Sequence, residues 1–594
     1  MKKYCYILFL IITCFNAKAG TAPKCIYTQK QFDEAVARIN RGEEVHIVLH
    51  RGDYLLKESL IATAPVSIEG RKAVITSAQV YNSKEAVKST DNHKVFKIKR
   101  PISNYPLFYD EQHNIIPVSE SVQDNSGVNY LDGDIISEGE NTVGAHLKLP
   151  IPASLSHLKK KTFNCAFGYF DCGWSVVDFR LDKADSKYLY CTTLNRCSTN
   201  NYMYDKKAYM KKVRLVVYNA EMKKDRIYYD SEYLYVPKQF TKVYNVNEVS
   251  ATQAELTISF YSDVILRKIT FVGYSNIKVE QKKGNVCLIE KCYFEKSSGS
   301  ALLIKKENGA GVRKAVITNC DFYECGLHNG AFVQISTTFG GSPCVEVNHC
   351  TMTRYPTGWA FYKNSGGGVW VDGDVNICNN VIYNTCRNHI YFHAGKIEAK
   401  GNVLYNTDGF NAKADRNLSG DWGLIYCDHL YTKTDDAIKN KEHRITLENN
   451  LLYGAYAYGG DARGIFIDDG RGDVTCRNNV ILNTQVYSID ARNSFQNAAS
   501  VRNRYEGNIV TTRYRLAAGS EVKGLDKPVT RRNYVLSNEE NVVANVEVDE
   551  SDIRANVVAI SAEKDGKIVV DKLLYDVIRK SPAWKSAKKY VKRK

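Results

Sequence analysis

Between about residue 256 and residue 520 the chain alternates short apolar runs with polar turns, and no stretch there keeps a helical period. Segments such as Thr318-Asn319-Cys320-Asp321-Phe322, Cys378-Asn379-Asn380-Val381-Ile382 and Arg477-Asn478-Asn479-Val480-Ile481 share one design. A polar pair ends in Cys or Asn, and a hydrophobic pair follows. The recurring position is Cys292, Cys320, Cys350, Asn380, Asn402, Asn450, Asn479 and Asn508, with steps of 28, 30, 30, 22, 48, 29 and 29 residues. Strand-sized repeats of this length cannot bury an apolar face alone and must stack on their neighbours. The pattern therefore predicts an all-β fold, a right-handed parallel β-helix, with a buried Cys ladder that gives way to an Asn ladder. Stacked amides would satisfy one another where a lone buried amide would be costly. The 48-residue step reads as one coil carrying two long loops, at about 407–421 and 429–442.

The flanks break this rhythm. Residues 31–40 place Phe32, Ala35, Val36 and Ile39 on one helical face, which predicts an N-terminal capping helix ahead of the first strands. From about 95 to 250 the repeat disappears into Tyr-rich alternating strands, such as Val213–Tyr218 and Tyr233–Val236, read as an inserted β-rich domain. Met1–Ala19 has a basic start, an apolar run and an Ala17-Lys18-Ala19 site, the pattern of a signal peptide cleaved after Ala19. Cys14 raises a lipoprotein alternative, which its neighbours Ile11-Ile12-Thr13 fit poorly. The expected organisation is 1–19 signal peptide, 20–94 cap and first coils, 95–250 insertion, 251–520 main β-helix, and 521–594 a C-terminal cap and basic tail ending in a helix near 572–579. The expected location is outside the cytoplasm, secreted or periplasmic, with no membrane span and a monomeric state.

The formal net charge is +16. Part of the excess is the tail Lys585, Lys588, Lys589, Lys592, Arg593 and Lys594, which suits a solvated face or attraction to an acidic polysaccharide. No nucleic-acid-binding, P-loop, dinucleotide or serine-nucleophile motif is present. Most of the 17 cysteines recur with the repeat and read as core residues. Cys165, Cys172, Cys191 and Cys197 cluster outside the repeats, where one or two disulfides are expected.

Candidate chemistry comes from the strand that precedes each Cys/Asn turn. Strict alternation puts Val369, Ile390, Leu424 and Ile465 inward, and Trp370, Tyr391, Ile425 and Phe466 outward. The strand-end column is then Asp372, His393, Cys427, Asp468 and Asp490, with Asp428 and Asp469 one place on. Coils stack about 4.8 Å apart, so acids on adjacent or alternate coils bracket the ~5–5.5 and ~6.5–9.5 Å spacings of retaining and inverting glycosidases. Asp428, Asp468, Asp469 and Asp490 are the candidate acid, base or nucleophile, with His393 beside them. Trp370, Tyr391, Phe466 and Trp422 would offer flat apolar faces to sugar rings. His389, Asp372 and Arg463 would make polar substrate contacts, with His389 expected outward. Each acid alone is as well explained by turn chemistry, as in Asp468-Asp469-Gly470. Clustered carboxylates also suit calcium, the one cofactor left open.

Four segments carry a resemblance to a known superfamily. They are Val48–Tyr54 followed by Pro65–Gly70, Pro106–Asp110, Gly464–Gly470 ahead of Asn478–Ile481, and Lys580–Ala583. The chain resembles the pectate-lyase-like parallel β-helix superfamily, and within it exported bacterial β-helix glycoside hydrolases of the fucosidase and xylanase sort. That resemblance implies acidic pairs on the outer face of the later coils, here Asp428, Asp468 or Asp469. The expected function is cleavage of a polysaccharide or oligosaccharide by paired aspartates. Two alternatives stand beside it. One is a polysaccharide lyase on uronic-acid glycans, using His393, Lys396 or Arg463 as base. The other is a glycan-binding solenoid without catalysis.

Overall fold

The computed structural model describes residues 23–102, 106–122, 144, 146–171, 176–194, 214–247, 256–280, 286–305, 314–327, 330–336, 344–353, 365–385, 388–408, 422–427, 444–456, 462–467, 474–492, 503–517, 529–544, 546–555 and 561–594. They form a parallel β-helix, the expected fold class. A 25-stranded sheet and a 12-stranded sheet run the length of the solenoid, each strand pairing in parallel with its counterpart one coil on. The interior is one continuous apolar core from Ile26 to Val535. Inside it like residues stack, as in Phe271–Phe294–Phe322 with ring centroids 5.4 and 4.8 Å apart.

The Cys/Asn ladder lines one turn of every coil. Asn450 is typical: its Nδ2 donates to Ala399 O and to Asn479 Oδ1, each at 2.9 Å, and its own Oδ1 accepts from Asn402 N and Nδ2. The residue before each rung from Cys292 to Asn533 has a positive φ, as at Asn319, Asn379, Asn449 and Asn478. Asn tolerates that left-handed conformation better than most side chains, which is why the motif reads Asn-Asn. The ladder extends two rungs beyond the expectation, through Asn533 to Asp552.

Helix α1, Gln29–Asn40, spans the predicted residues and starts on a Thr28/Gln31 capping box. Its Phe32, Ala35, Val36 and Ile39 join the main core. The solenoid passes directly from Val66–Thr76 to Val264–Tyr274, which pair in parallel. The chain between them makes separate, smaller antiparallel sheets. Cys165 and Cys191 both carry free thiols; Cys172 and Cys197 lie outside the described residues. Helix α2, Lys572–Lys580, folds back along the flank, where Leu574 and Ile578 cover the outward ladder Leu451, Val480 and Ile509.

Candidate functional site

The 12-stranded sheet carries the candidate wall. Register pairs Gln334, Trp370, Tyr391, Tyr426, Phe466, Asp490 and Arg515 in one outward column. Four rings follow one another along it: Trp370–Tyr391 tilted at 5.9 Å, Tyr391–Tyr426 edge-on at 5.4 Å and Tyr426–Phe466 stacked at 4.9 Å. Gly367 makes room for the first, because a Cβ there would lie 2.1 Å from the Trp370 indole nitrogen. Trp370 and Tyr391 stay half-buried, whereas Tyr426 is 8% exposed.

This column corrects the sequence alignment at three places. Ile425 points inward with Ile390 and Ile465, and Tyr426 takes the outward place expected of Ile425. Alternation fails because Leu424 and Ile425 both enter the core. Gly464 and Ile465 repeat this irregularity one coil on, where a Cβ on Gly464 would meet Ile481 Cγ2 at 2.3 Å. His389 is the second correction. Alternation places it outward, but it is fully buried beside Ile390, with Nε2 3.0 Å from the Tyr405 carbonyl and Nδ1 3.1 Å from Thr385 Oγ1. Burial pushes its pKa down to about 4, against the Tyr405 carbonyl, which raises it.

The third correction concerns the strand-end acids. Asp490 pairs with Phe466, one pleat before the column assigned to it, and is fully buried. Two arginines hold it: Arg463 through Nε, and Arg515, whose Nε donates to Oδ1 at 2.7 Å and whose terminal nitrogen donates to Oδ2 at 2.6 Å. Arg463 is itself 2% exposed and lies over the Phe466 ring at 4.4 Å. Phe466 is therefore a covered ring rather than an open platform, and Arg463 and Asp490 face each other rather than solvent. Cys427 belongs to the inner core.

Two predicted residues do come together at the wall's edge. His393 Nδ1 lies 3.8 Å from Asp372 Oδ1 on the adjacent coil, and both side chains are partly exposed. Lys396, also named as a base for a lyase, is exposed on the following strand. Trp422 begins the strand Trp422–Cys427, but its side chain lies outside the described residues, as do Asp428, Asp468 and Asp469. Asp428 and Asp468 directly follow Cys427 and Ile467, which are register partners on adjacent coils. Reasoning from the sequence missed Tyr426 and Arg515. The Tyr383–Tyr405 stack, with centroids 5.0 Å apart, lies on the other sheet and belongs to the flank under the C-terminal segment. Among the described residues, no group of three His, Cys, Asp or Glu side chains is placed to hold a metal ion. No helix there is long and apolar enough to cross a membrane.

The fold is shared with a solved structure. A structure described as a glycoside hydrolase superposes with a TM-score of 0.50 at 12% identity, over 81% of this chain and 91% of that one. The catalytic unit of an α-1,3-glucanase from Streptomyces thermodiastaticus aligns over 81% of this chain and 97% of its own, at 10% identity and a TM-score of 0.26. An alginate lyase from Paenibacillus aligns over 49% of this chain and 89% of its own, at 12% identity and a TM-score of 0.26. At such identities the first likeness is one of fold. No family model matches the chain, and no curated protein matches it in sequence.

Proposed function

We propose that this chain is an exported carbohydrate-active enzyme, a glycoside hydrolase that cleaves a polysaccharide along the outer wall of its 12-stranded sheet. The observation that carries the reading is the partly exposed Trp370–Tyr391 pair flanked by Asp372 and His393. Sugar rings pack their apolar faces on such side chains while polar groups at the edge fix their hydroxyls. Register supports paired aspartates: Asp428 and Asp468 each follow a strand position paired with the other's. Adjacent coils put such groups about 5 Å apart, the spacing of a retaining pair. In this reading one carboxyl is kept protonated by its neighbour and protonates the leaving oxygen, and the other attacks the anomeric carbon. Asp469 is the alternate partner. The fold shared with a solved glycoside hydrolase supports the carbohydrate-active reading in general.

The test is single substitution of Asp428, Asp468 and Asp469 by Asn, with reducing ends measured on a panel of polysaccharides. Loss of at least a hundredfold in two of the three is expected; full activity in all three removes the mechanism. A second reading rests on His393, which is partly exposed at the wall. As a base it would abstract the proton α to a uronate carboxylate and leave a double bond. Absorbance of the products near the ultraviolet edge would establish that elimination and overturn hydrolysis. Binding of a glycan with no product from any substrate would leave only the glycan-binding solenoid.

A further inference from the structure

Residues 561–594 form a folded element on the flank of the solenoid, not a loose basic tail. Strands Ser561–Lys564 and Lys567–Val570 pair antiparallel, and Val591–Arg593 joins them in parallel. Helix α2 and the short helix Trp584–Ala587 lie between the last two strands in sequence. Ile568, Leu574, Ile578 and Val591 are buried against the flank. The helical period then turns Lys572 and Arg579 of α2 away from it. Eleven Lys and Arg side chains, every one exposed, stand in this element against four Asp and Glu.

This charge has no internal counterweight. Elsewhere cations meet carboxylates, as Lys57 meets Asp33 at 2.6 Å, and Arg41 meets Glu43 and Arg477 meets Glu448 at 2.7 Å. Among the described residues, no carboxylate forms an ion pair with any of the eleven. Two of the four acids serve the backbone instead. Asp571 Oδ1 accepts from Leu574 N at 2.7 Å and caps α2, and Glu563 Oε1 accepts from Gly566 N at 2.8 Å. The negative end of the α2 dipole accounts for Arg579 and Lys580. It does not account for Lys564, Lys592 and Arg593, which lie on strands. Crowded like charges repel within the folded element, and a polyanion relieves that repulsion.

We propose that this face is a holding surface for an acidic polysaccharide, one that carries uronate or sulfate groups along its length. Nine of the eleven cations are Lys, a point charge on a flexible stem rather than a planar fork. Such a surface follows a line of anions without fixing one sugar. A lipid surface fits it less well, because membrane-lying helices set bulky apolar side chains into the interface. The apolar face of α2 is already on the flank, and Leu573, 41% exposed, is the one large apolar side chain the element exposes. A duplex groove admits a free helix or ribbon, whereas α2 is docked along one face. The element covers the larger sheet and the wall belongs to the 12-stranded one, so the two surfaces are separate. The proposal does not rest on hydrolysis, and loss of the wall mechanism leaves it standing.

The test is calorimetric titration of the full chain with polygalacturonate, for uronate, and dextran sulfate, for sulfate. Neutral dextran, duplex DNA and vesicles rich in anionic lipid are run beside them. Binding of at least one acidic polysaccharide is expected, with affinity falling about tenfold or more between roughly 50 and 200 mM salt. Two triple variants should each weaken it at least fivefold: Lys572→Gln with Arg579→Gln and Lys580→Gln, and Lys588→Gln with Lys589→Gln and Lys592→Gln. All six side chains are exposed, and thermal melts establish that the variants are folded. If one triple does not fold, the other carries the test. A third triple, Lys30→Gln with Lys97→Gln and Lys159→Gln, removes the same charge from exposed positions elsewhere and should change affinity less than twofold. Failure of both acidic polymers to bind overturns the proposal, as does equal weakening by all three triples, which would mark a general effect of net charge. Tighter binding of DNA or vesicles than of either polysaccharide overturns it equally.

Discussion

The Asn turn and the aromatic wall use the same stacking in opposite ways. Both are columns in which one side chain from each coil sits on its neighbour. In the turn the residue barely changes from Asn380 to Asn533, because every rung makes the same bonds to the rungs beside it. On the wall the column changes at nearly every step, from Gln334 through Trp370, Tyr391, Tyr426 and Phe466 to Asp490 and Arg515. A column that repeats holds the coils together; one that varies gives each coil a different surface. The contrast places structure in the turn and recognition on the open part of the wall, and it can be attacked from both sides.

The largest effect is expected in the turn. Asn450→Ala strands the Asn402 backbone N–H and the Ala399 carbonyl, both buried, and opens a cavity. At about 1–3 kcal/mol for each stranded group, the loss should be roughly 3–6 kcal/mol by chemical denaturation. Cys320→Ala, a rung held by weak thiol contacts such as those to Ile289 O and Thr318 O, should cost less than half as much. Equal losses would show that the ladder stabilises by filling space rather than by its amide bonds.

Next comes the closed end of the wall. Asp490→Ala leaves Arg463 buried without its carboxylate, and breaking such a pair costs about 3–5 kcal/mol. If Asp490 only organises Arg463 and Arg515, cleavage assayed below the lowered melting temperature should survive the substitution. A folded Asp490→Asn protein with no activity would instead return this residue to the reaction.

The sequence disclosed the turn well and the wall in part, for physical reasons. Asn-Asn and Gly-Asn announce a left-handed residue followed by a buried amide, a requirement that recurs at each coil. Asn533 escaped notice because its step is shorter and its neighbour is Arg532, not Asn or Gly, while Asp552 replaces the amide by a carboxylate. Wall residues were assigned by strict alternation, which Leu424-Ile425 and His389-Ile390 break by sending two successive side chains inward. Asp490 looked like an exposed strand-end acid because its second partner, Arg515, arrives only on the next coil. An acid's burial depends on what stacks above and below it, and a single strand does not record that.

His389 joins the two regions, since it lies on a wall strand yet faces the interior. With its pKa lowered from 6.5 to about 4, the folded protein keeps it neutral where the unfolded chain binds a proton. Stability from this group is therefore complete above pH 6.5, falls as pH drops towards 4, and is constant below. The full change is roughly 3 kcal/mol, because each pH unit between the two values is worth about 1.4 kcal/mol. Carboxylates titrate in part of the same window, so the readout is the difference between the native protein and His389→Gln. That difference should grow between pH 4 and 6.5 and be flat outside it; a difference independent of pH would show that burial does not keep His389 neutral.

The smallest effect falls on the open wall, and it decides what the wall is for. Trp370 and Tyr391 touch each other and stay partly exposed, so removing a ring costs less than removing a fully buried one. Trp370→Ala should shift the melting temperature by only a few degrees. A sugar ring that packs on the indole loses that contact wherever it is bound, in the ground state and the transition state alike. Loss of such uniform binding raises KM and leaves kcat near its native value. A rise of about tenfold in KM, equivalent to about 1.4 kcal/mol, is expected for Trp370→Ala, and less for Tyr391→Ala because its neighbours Trp370 and Tyr426 partly fill the gap. Double substitution should give less than the sum of the two free energies if both rings hold the same sugar, since the second loses a contact already weakened. Additive effects would assign them to different sugar units, and an effect on kcat alone would move the wall's rings from holding the polymer to shaping its reaction.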